Sequence, residues 1–198
     1  MSTTVSHMIK QRVKPSDIFI TPLPIAQKQI KNTHDIYKKL TMGRPAFWLD
    51  PCMNSGRYYY NYPEYCEKMG FDIDKDVDYK DCLKIDFLSD WDKNTNNPCK
   101  QPDIICSNPP FSVIDKWLAK SCSLKPTVIS YVMAVHGITT KRLEFMNKSG
   151  YYLHSMELCK VQEWYGMTAV MIWCQYHTEG PKHPDCISYD RKVYYSKK

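Results

Sequence analysis

The run Asp103-Ile104-Ile105-Cys106-Ser107 reads as a short apolar strand that stops at Asn108-Pro109-Pro110-Phe111. Two prolines cannot continue a hydrogen-bonded ladder, so Asn108 and the backbone around it are presented at the carboxyl edge of a sheet. Open α/β folds bind ligands at that edge. The side-chain oxygen of Asn108 and the carbonyl of Pro109 can accept hydrogen bonds from an exocyclic amino group. Phe111 can stack on the flat ring that carries it. Taken alone, the tetrapeptide is equally a proline turn closing a strand.

Three acidic positions upstream give it partners. Asp50-Pro51-Cys52-Met53-Asn54-Ser55-Gly56 is a strand end followed by a tight turn, where a ligand's polar tail can approach the backbone closely. Asp72 closes the next strand, placed as an acid would be to accept from two ribose hydroxyls. Asp86 offers an acceptor for an adenine amino group, and Phe87 an apolar wall for its ring. Singly, an Asp at a strand end is more often a helix cap or a turn residue. Four such signals in order, each at a strand edge, point to one ligand-binding edge.

The elements that must position these residues follow from periodicity. Ile25, Ile30, Ile36, Tyr37 and Leu40 recur at helical spacing, predicting one or two helices after Thr21-Pro22. Ala46 to Leu49 is a buried strand, Tyr65 to Met69 a brief helix, Phe71 to Asp74 a strand end, and Cys82 to Phe87 a third short element. Asn94 to Gln101 is a loop. Val113 to Cys122 is a helix with Ser112 as its N-cap. Thr127 to Val135 is strongly β, Thr139 to Lys148 is a helix stopping at Gly150, and Tyr151 to Cys159 and Met167 to Tyr176 are strands, close enough to pair antiparallel. Strands alternating with helices imply an α/β fold with a mostly parallel sheet covered on both faces.

A chain of 198 residues suits one domain. Its 43% apolar and 24% charged residues are ordinary globular composition. No apolar run approaches a membrane span, and Met1 to Lys14 lacks a secretory apolar region, so no membrane partner is expected. Nine scattered cysteines without a C-x-x-C pair argue for reduced thiols in an intracellular compartment, cytoplasmic or nuclear. The net charge of +6 gives modest support to a polyanionic partner. The Lys-, Asn-, Ile- and Tyr-rich composition is compatible with an AT-rich viral genome.

From Thr21 to Tyr176 the chain resembles the class I S-adenosylmethionine-dependent methyltransferases, specifically the amino-methylating group with a D/N-P-P-Y/F/W signature. Thr21-Pro22 resembles the Thr-Pro element that touches the methionine part of the cofactor. Asp50 to Gly56 is similar to the D-P-x-x-G-S-G cofactor turn, including Pro51, Cys52 and Asn54. Asp72 resembles the ribose-binding acid, Asp86 and Phe87 the adenine contacts, and Asn108, Pro109, Pro110 and Phe111 the catalytic motif. The run Ser112 to Lys120, with Trp117, is similar to that of small phage-type DNA adenine methyltransferases. Asn54 departs from the pattern, which usually has Gly there; Asn tolerates left-handed backbone better than other non-glycine residues. The resemblance implies a Rossmann-like class I methyltransferase fold, S-adenosylmethionine as cofactor, and methyl transfer to adenine N6 in nucleic acid, DNA ahead of RNA. RNA adenosine-N6 methylation and protein glutamine-N5 methylation use the same amino-acceptor logic, the latter favouring Tyr at the last motif position. A different class of reading is a non-catalytic nucleic-acid-binding subunit that keeps the fold.

The expected organisation is a basic arm over 1–17 (Lys10, Arg12, Lys14), a catalytic domain over 18–180 and a basic, Tyr-rich tail over 181–198. Recognition must come from short loops, these tails, or a homodimer or other protein partner. Tyr58, Tyr59, Tyr60, Tyr62 and Tyr65 cluster after the cofactor turn. Tyr189, Arg191, Lys192, Tyr194, Tyr195, Lys197 and Lys198 interleave rings and charge near the end. Both groups suit stacking on unpaired bases, and both are equally read as domain packing and solubilising charge. Cys174, His177, His183 and Cys186 supply four potential zinc ligands. An offset of three in a strand puts Cys174 and His177 on opposite faces, so no metal is expected. His136 reads as a strand-end or loop histidine.

Overall fold

The computed structural model of the protein describes residues 19–89, 101–161, 164 and 166–175. The elements in chain order are helix α1 (Leu23–Thr41), strands β1 (Phe47–Asp50), β2 (Glu67–Asp72), β3 (Cys82–Lys84) and β4 (Ile104–Ser107), helix α2 (Ile114–Ser123), strand β5 (Val128–Ala134), helix α3 (Thr140–Lys148), and strands β6 (Tyr151–Cys159) and β7 (Thr168–Gln175). They form a seven-stranded sheet of order β3-β2-β1-β4-β5-β7-β6. The first five strands are parallel, and β7 runs antiparallel between β5 and β6. Chain order reverses between β1 and β4, which opens a crevice at their carboxyl ends.

Alternation along the strands builds two cores. Leu49, Ile105, Ile129 and Tyr131 face α2 and α3 through Trp117, Leu118 and Met146. Trp48, Ile104, Cys106 and Val128 face α1 through Ala26, Ile30 and Tyr37. Helices thus cover both faces, as the alternation of elements implied.

Two local expectations are corrected. Tyr65 to Met69 is not a helix: β2 starts at Glu67 and pairs with β1 from Phe47 to Asp50. Parallel pairing overrides the local pattern there, and the only helical turn between β1 and β2 is the 3₁₀ turn Tyr59–Asn61. Ser112 is not the cap of α2; it sits inside a 3₁₀ turn over Phe111–Val113, and Val113 occupies the cap position without a side-chain bond. The loop expected over Asn94 to Gln101 lies outside the described residues except for Gln101, as do Tyr176, the 1–17 arm and the 181–198 tail.

The tyrosines after the turn are mostly structural. Tyr58, Tyr59 and Tyr62 are buried, whereas Tyr60 and Tyr65 are about half exposed. Tyr62 donates to the carbonyl of Cys106, joining its loop to β4. Tyr58 donates to Gln29 Oε1 at 2.8 Å, and Gln29 Nε2 donates to the hydroxyl of Ser130 at 3.0 Å and to its carbonyl at 3.1 Å. This buried relay fastens α1 to β5 and to the loop after β1. Replacing Gln29 with Leu keeps the volume and removes the bonds from Tyr58 and to Ser130. The expected loss is about 0.5–1.5 kcal/mol for each bond removed, read as a lowered thermal midpoint.

Candidate active site

The turn after β1 is built by its own backbone and by β2. Met53 N–H donates to the carbonyl of Phe71 at 2.7 Å, and Asn54 N–H to Asp72 Oδ2 at 2.7 Å. Asn54 is left-handed, with φ of 42°, so it adopts the backbone that a Gly at this turn would supply. Gly56 has φ of 70°, and a Cβ there would lie 2.6 Å from the Tyr60 ring. Glycine is required at that position on both counts.

Over this turn lies a cleft of about 390 Å³. Pro51, Cys52 and Asn54 line it from the turn, Asp72 from β2, Asp86 and Phe87 from the segment after β3, and Asn108 and Pro110 from the segment after β4. Phe87 is buried against Trp117, ring centroids 4.9 Å apart, forming an apolar wall. The Asp72 carboxylate is only 6% exposed and also accepts from Asp74 N–H at 2.9 Å. Asp86 is held by Leu88 N–H and the Ser89 hydroxyl, both at 2.9 Å. Thr21 lines a narrow adjoining recess with Ser55, Arg57, Tyr58 and Asn108. Pro22 is the cap residue of α1 rather than a wall of either space.

Asp50 is set behind the cleft, fully buried. Its Oδ1 accepts from Ser107 Oγ at 2.7 Å, tying the end of β1 to the end of β4, and its Oδ2 has no partner. Burial pushes its carboxyl up to about 7, against the bond from Ser107 that lowers it. Pro109 is buried, and Phe111 turns away from the cleft into a second one of about 280 Å³, lined with Met133, His136, Thr139 and Arg142 among others. His136 lies in an exposed 3₁₀ turn at the end of β5.

Asn108 and Phe111 both meet a residue that the sequence reading passed over. Asn108 Nδ2 donates to the carbonyl of Phe19 at 2.7 Å, leaving Asn108 Oδ1 buried without a partner. The Phe19 ring stacks on Phe111, with centroids 5.4 Å apart and planes 16° apart. Arg57 was also passed over; it donates to the Thr21 carbonyl at 2.7 Å and puts a cation beside the recess. Neither has a sequence signal beyond nearness to Thr21-Pro22 or to the turn.

Among the described residues no group of three or more His, Cys, Asp or Glu could hold a metal. Cys174 is fully buried, and burial pushes its thiol up to about 12. His177, His183 and Cys186 lie outside the described residues, as do Lys10, Arg12, Lys14 and the tail from Tyr189 to Lys198. No helix among the described residues is long and apolar enough to cross a membrane.

No protein-family model matches the chain, and no curated protein matches it. Solved structures do. A candidate class I S-adenosylmethionine-dependent methyltransferase from Listeria monocytogenes is 11% identical, with a TM-score of 0.63 over 86% of this chain and 65% of its own. A candidate RNA methyltransferase from Pyrococcus horikoshii is 13% identical, with a TM-score of 0.59 over 79% of this chain and 87% of its own. Magnesium protoporphyrin IX methyltransferase from Synechocystis, solved with bound S-adenosylmethionine, is 8% identical, with a TM-score of 0.53 over 88% and 92%. At these identities the likeness is one of fold. The chain has the Rossmann-like class I methyltransferase fold.

The buried Asp50 carboxyl gives a pH signature. Its affinity for a proton is raised on folding from 3.8 to about 7. Its contribution to stability is therefore full below about pH 4, falls as pH rises toward 7, and is gone above. Asp50→Asn keeps the Ser107 bond and cannot ionise. In thermal unfolding the variant should gain on the wild type as pH rises from 4 to 7, then hold a constant lead. A lead that does not change with pH would place the carboxyl in a solvated environment.

Proposed function

We propose that this protein is an S-adenosylmethionine-dependent methyltransferase acting on the N6 amino group of adenine in nucleic acid, DNA ahead of RNA. The observation that carries the reading is Asn108. Its amide nitrogen is committed to the Phe19 carbonyl, so its buried, unpartnered Oδ1 is left as an acceptor at the edge of the cleft. A buried acceptor without a donor is costly, and an amino group is the donor that would satisfy it.

The residues fit the cofactor. Asp72 is placed to accept from ribose hydroxyls. Phe87 and Trp117 form the apolar wall that an adenine ring needs, with Asp86 beside it to accept from its amino group. At the other end, Thr21, Ser55 and Arg57 offer donors to a carboxylate. When bound, the cofactor supplies an electrophilic methyl group. Asn108 Oδ1 and the Pro109 carbonyl hold the acceptor nitrogen by its protons. This keeps its lone pair less delocalised into the ring. Holding two reactants at attack distance supplies roughly 7–11 kcal/mol of the barrier reduction. The proton leaves a cationic amine product for solvent, so no general base is demanded. Adenine in single strands or at mismatches should be the preferred acceptor, because extruding a paired base costs a few kcal/mol.

Asn54, where the resembled pattern usually has Gly, is the one feature that favours a non-catalytic subunit; its left-handed backbone, bonded to Asp72, supports the catalytic reading instead.

Binding and chemistry should separate by mutation. Asp72→Ala should weaken S-adenosylmethionine binding roughly ten- to a hundredfold by calorimetry, since each charge-assisted bond is worth about 1.5–3 kcal/mol. Asn108→Ala should keep cofactor affinity near wild type and abolish methyl transfer to a single-stranded oligonucleotide. Normal transfer by Asn108→Ala would sink the assignment.

A further inference from the structure

The contact between Phe19 and Phe111 bears on how the acceptor enters. Phe111 is the ring on which a flat acceptor would stack, and Phe19 lies on it nearly parallel at a centroid distance of 5.4 Å. A ring inserted between two others needs about 7 Å, twice the usual carbon–carbon contact of 3.5 Å. There is no space for one. Trp164 packs edge-on against both rings, 5.7 Å from Phe19 and 6.4 Å from Phe111, holding the pair from the side. The Phe19 carbonyl holds Asn108 Nδ2, and Asn108 Oδ1 is closed off from solvent. Phe19 therefore contacts both residues that an amino-bearing ring must reach, Phe111 through its ring and Asn108 through its carbonyl.

We propose that Phe19 occupies the acceptor slot and is the residue that sets which acceptors enter it. The inference rests on the amino-methyltransferase reading of the site. Entry requires the Phe19 ring to leave Phe111, and the incoming group must replace the stacking that is lost. A purine ring does so on its whole face, and at the same time brings an amino donor to Asn108 Oδ1. A glutamine side chain brings the donor but only a small amide plane. Phe19 thus favours flat aromatic amines over protein amides, and it makes an unpaired base a better acceptor than one that must also be pulled from a duplex.

The test measures the increment in affinity that one adenine gives to a thymine-only single strand over the same strand with an abasic site there. It is measured by equilibrium titration of the full chain, and read for wild type, Phe19→Ala, Phe19→Leu and Phe111→Ala. Phe19→Ala should raise the increment roughly three- to tenfold, the worth of one aromatic pair that no longer has to be broken. Phe19→Leu should raise it less and serves in place of Phe19→Ala if that variant does not fold. Phe111→Ala should abolish it. A reduced increment in both Phe19 variants would mean that Phe19 is half of a base sandwich, and an unchanged or absent increment that it does not fill the slot; either overturns the proposal. Labelled S-adenosylmethionine and the wild-type protein on the same strand test the function separately, since absent transfer to adenine removes that reading whatever the titration gives.

Discussion

The hydrogen bond from Ser107 to Asp50 joins the two strand ends on which the whole site depends. It links β1 to β4 where the chain order of the sheet reverses, with the turn over Pro51 to Gly56 leaving one strand and the Asn108 segment leaving the other. Both bond partners are fully buried. The geometry is set from behind, by a polar contact inside the core, and the cleft in front inherits it. Burial makes a carboxyl in that setting resist ionisation near neutral pH.

Three further tethers refine this frame. The Asp72 carboxylate receives the N–H of Asn54 and holds the left-handed turn against β2. The Tyr62 hydroxyl reaches the Cys106 carbonyl just before the Asn108 segment. At the amino end of the sheet, Asp103 accepts from Ala46 N–H at 2.7 Å and Phe47 N–H at 2.9 Å, locking β1 and β4 at their other ends. Asp103 and Asp72 are both acidic residues at strand edges, yet only the one at the carboxyl edge meets the cleft. Position in the sheet, more than residue type, decides which carboxylates face a ligand.

Much of this was legible in the sequence because the strands are apolar runs that end abruptly in Asp50, Asp72 and Asn108. Such endings mark the carboxyl edge without knowledge of the tertiary fold. The antiparallel pairing of β6 with β7 was legible from their short separation. What escaped was long-range. The stretch around Tyr65 to Met69 carries a local helical pattern that pairing with β1 overrides. Tyr58, Tyr59 and Tyr62 read equally as base-stacking rings or as packing, because adjacency in sequence conceals that they turn into the core. Phe19 acquires its role only through contact with residues some ninety positions away, and no local spacing announces it.

The central claim is that the buried acceptor at Asn108 receives the amino group of adenine. The most direct measurement is incubation of the protein with S-adenosylmethionine carrying a trideuterated methyl group and single-stranded DNA, followed by mass analysis of the nucleosides. The expected result is a mass gain of about three daltons over ordinary methylation, carried on N6 of deoxyadenosine alone. Label on a ring nitrogen, on cytosine or on no nucleoside would contradict it.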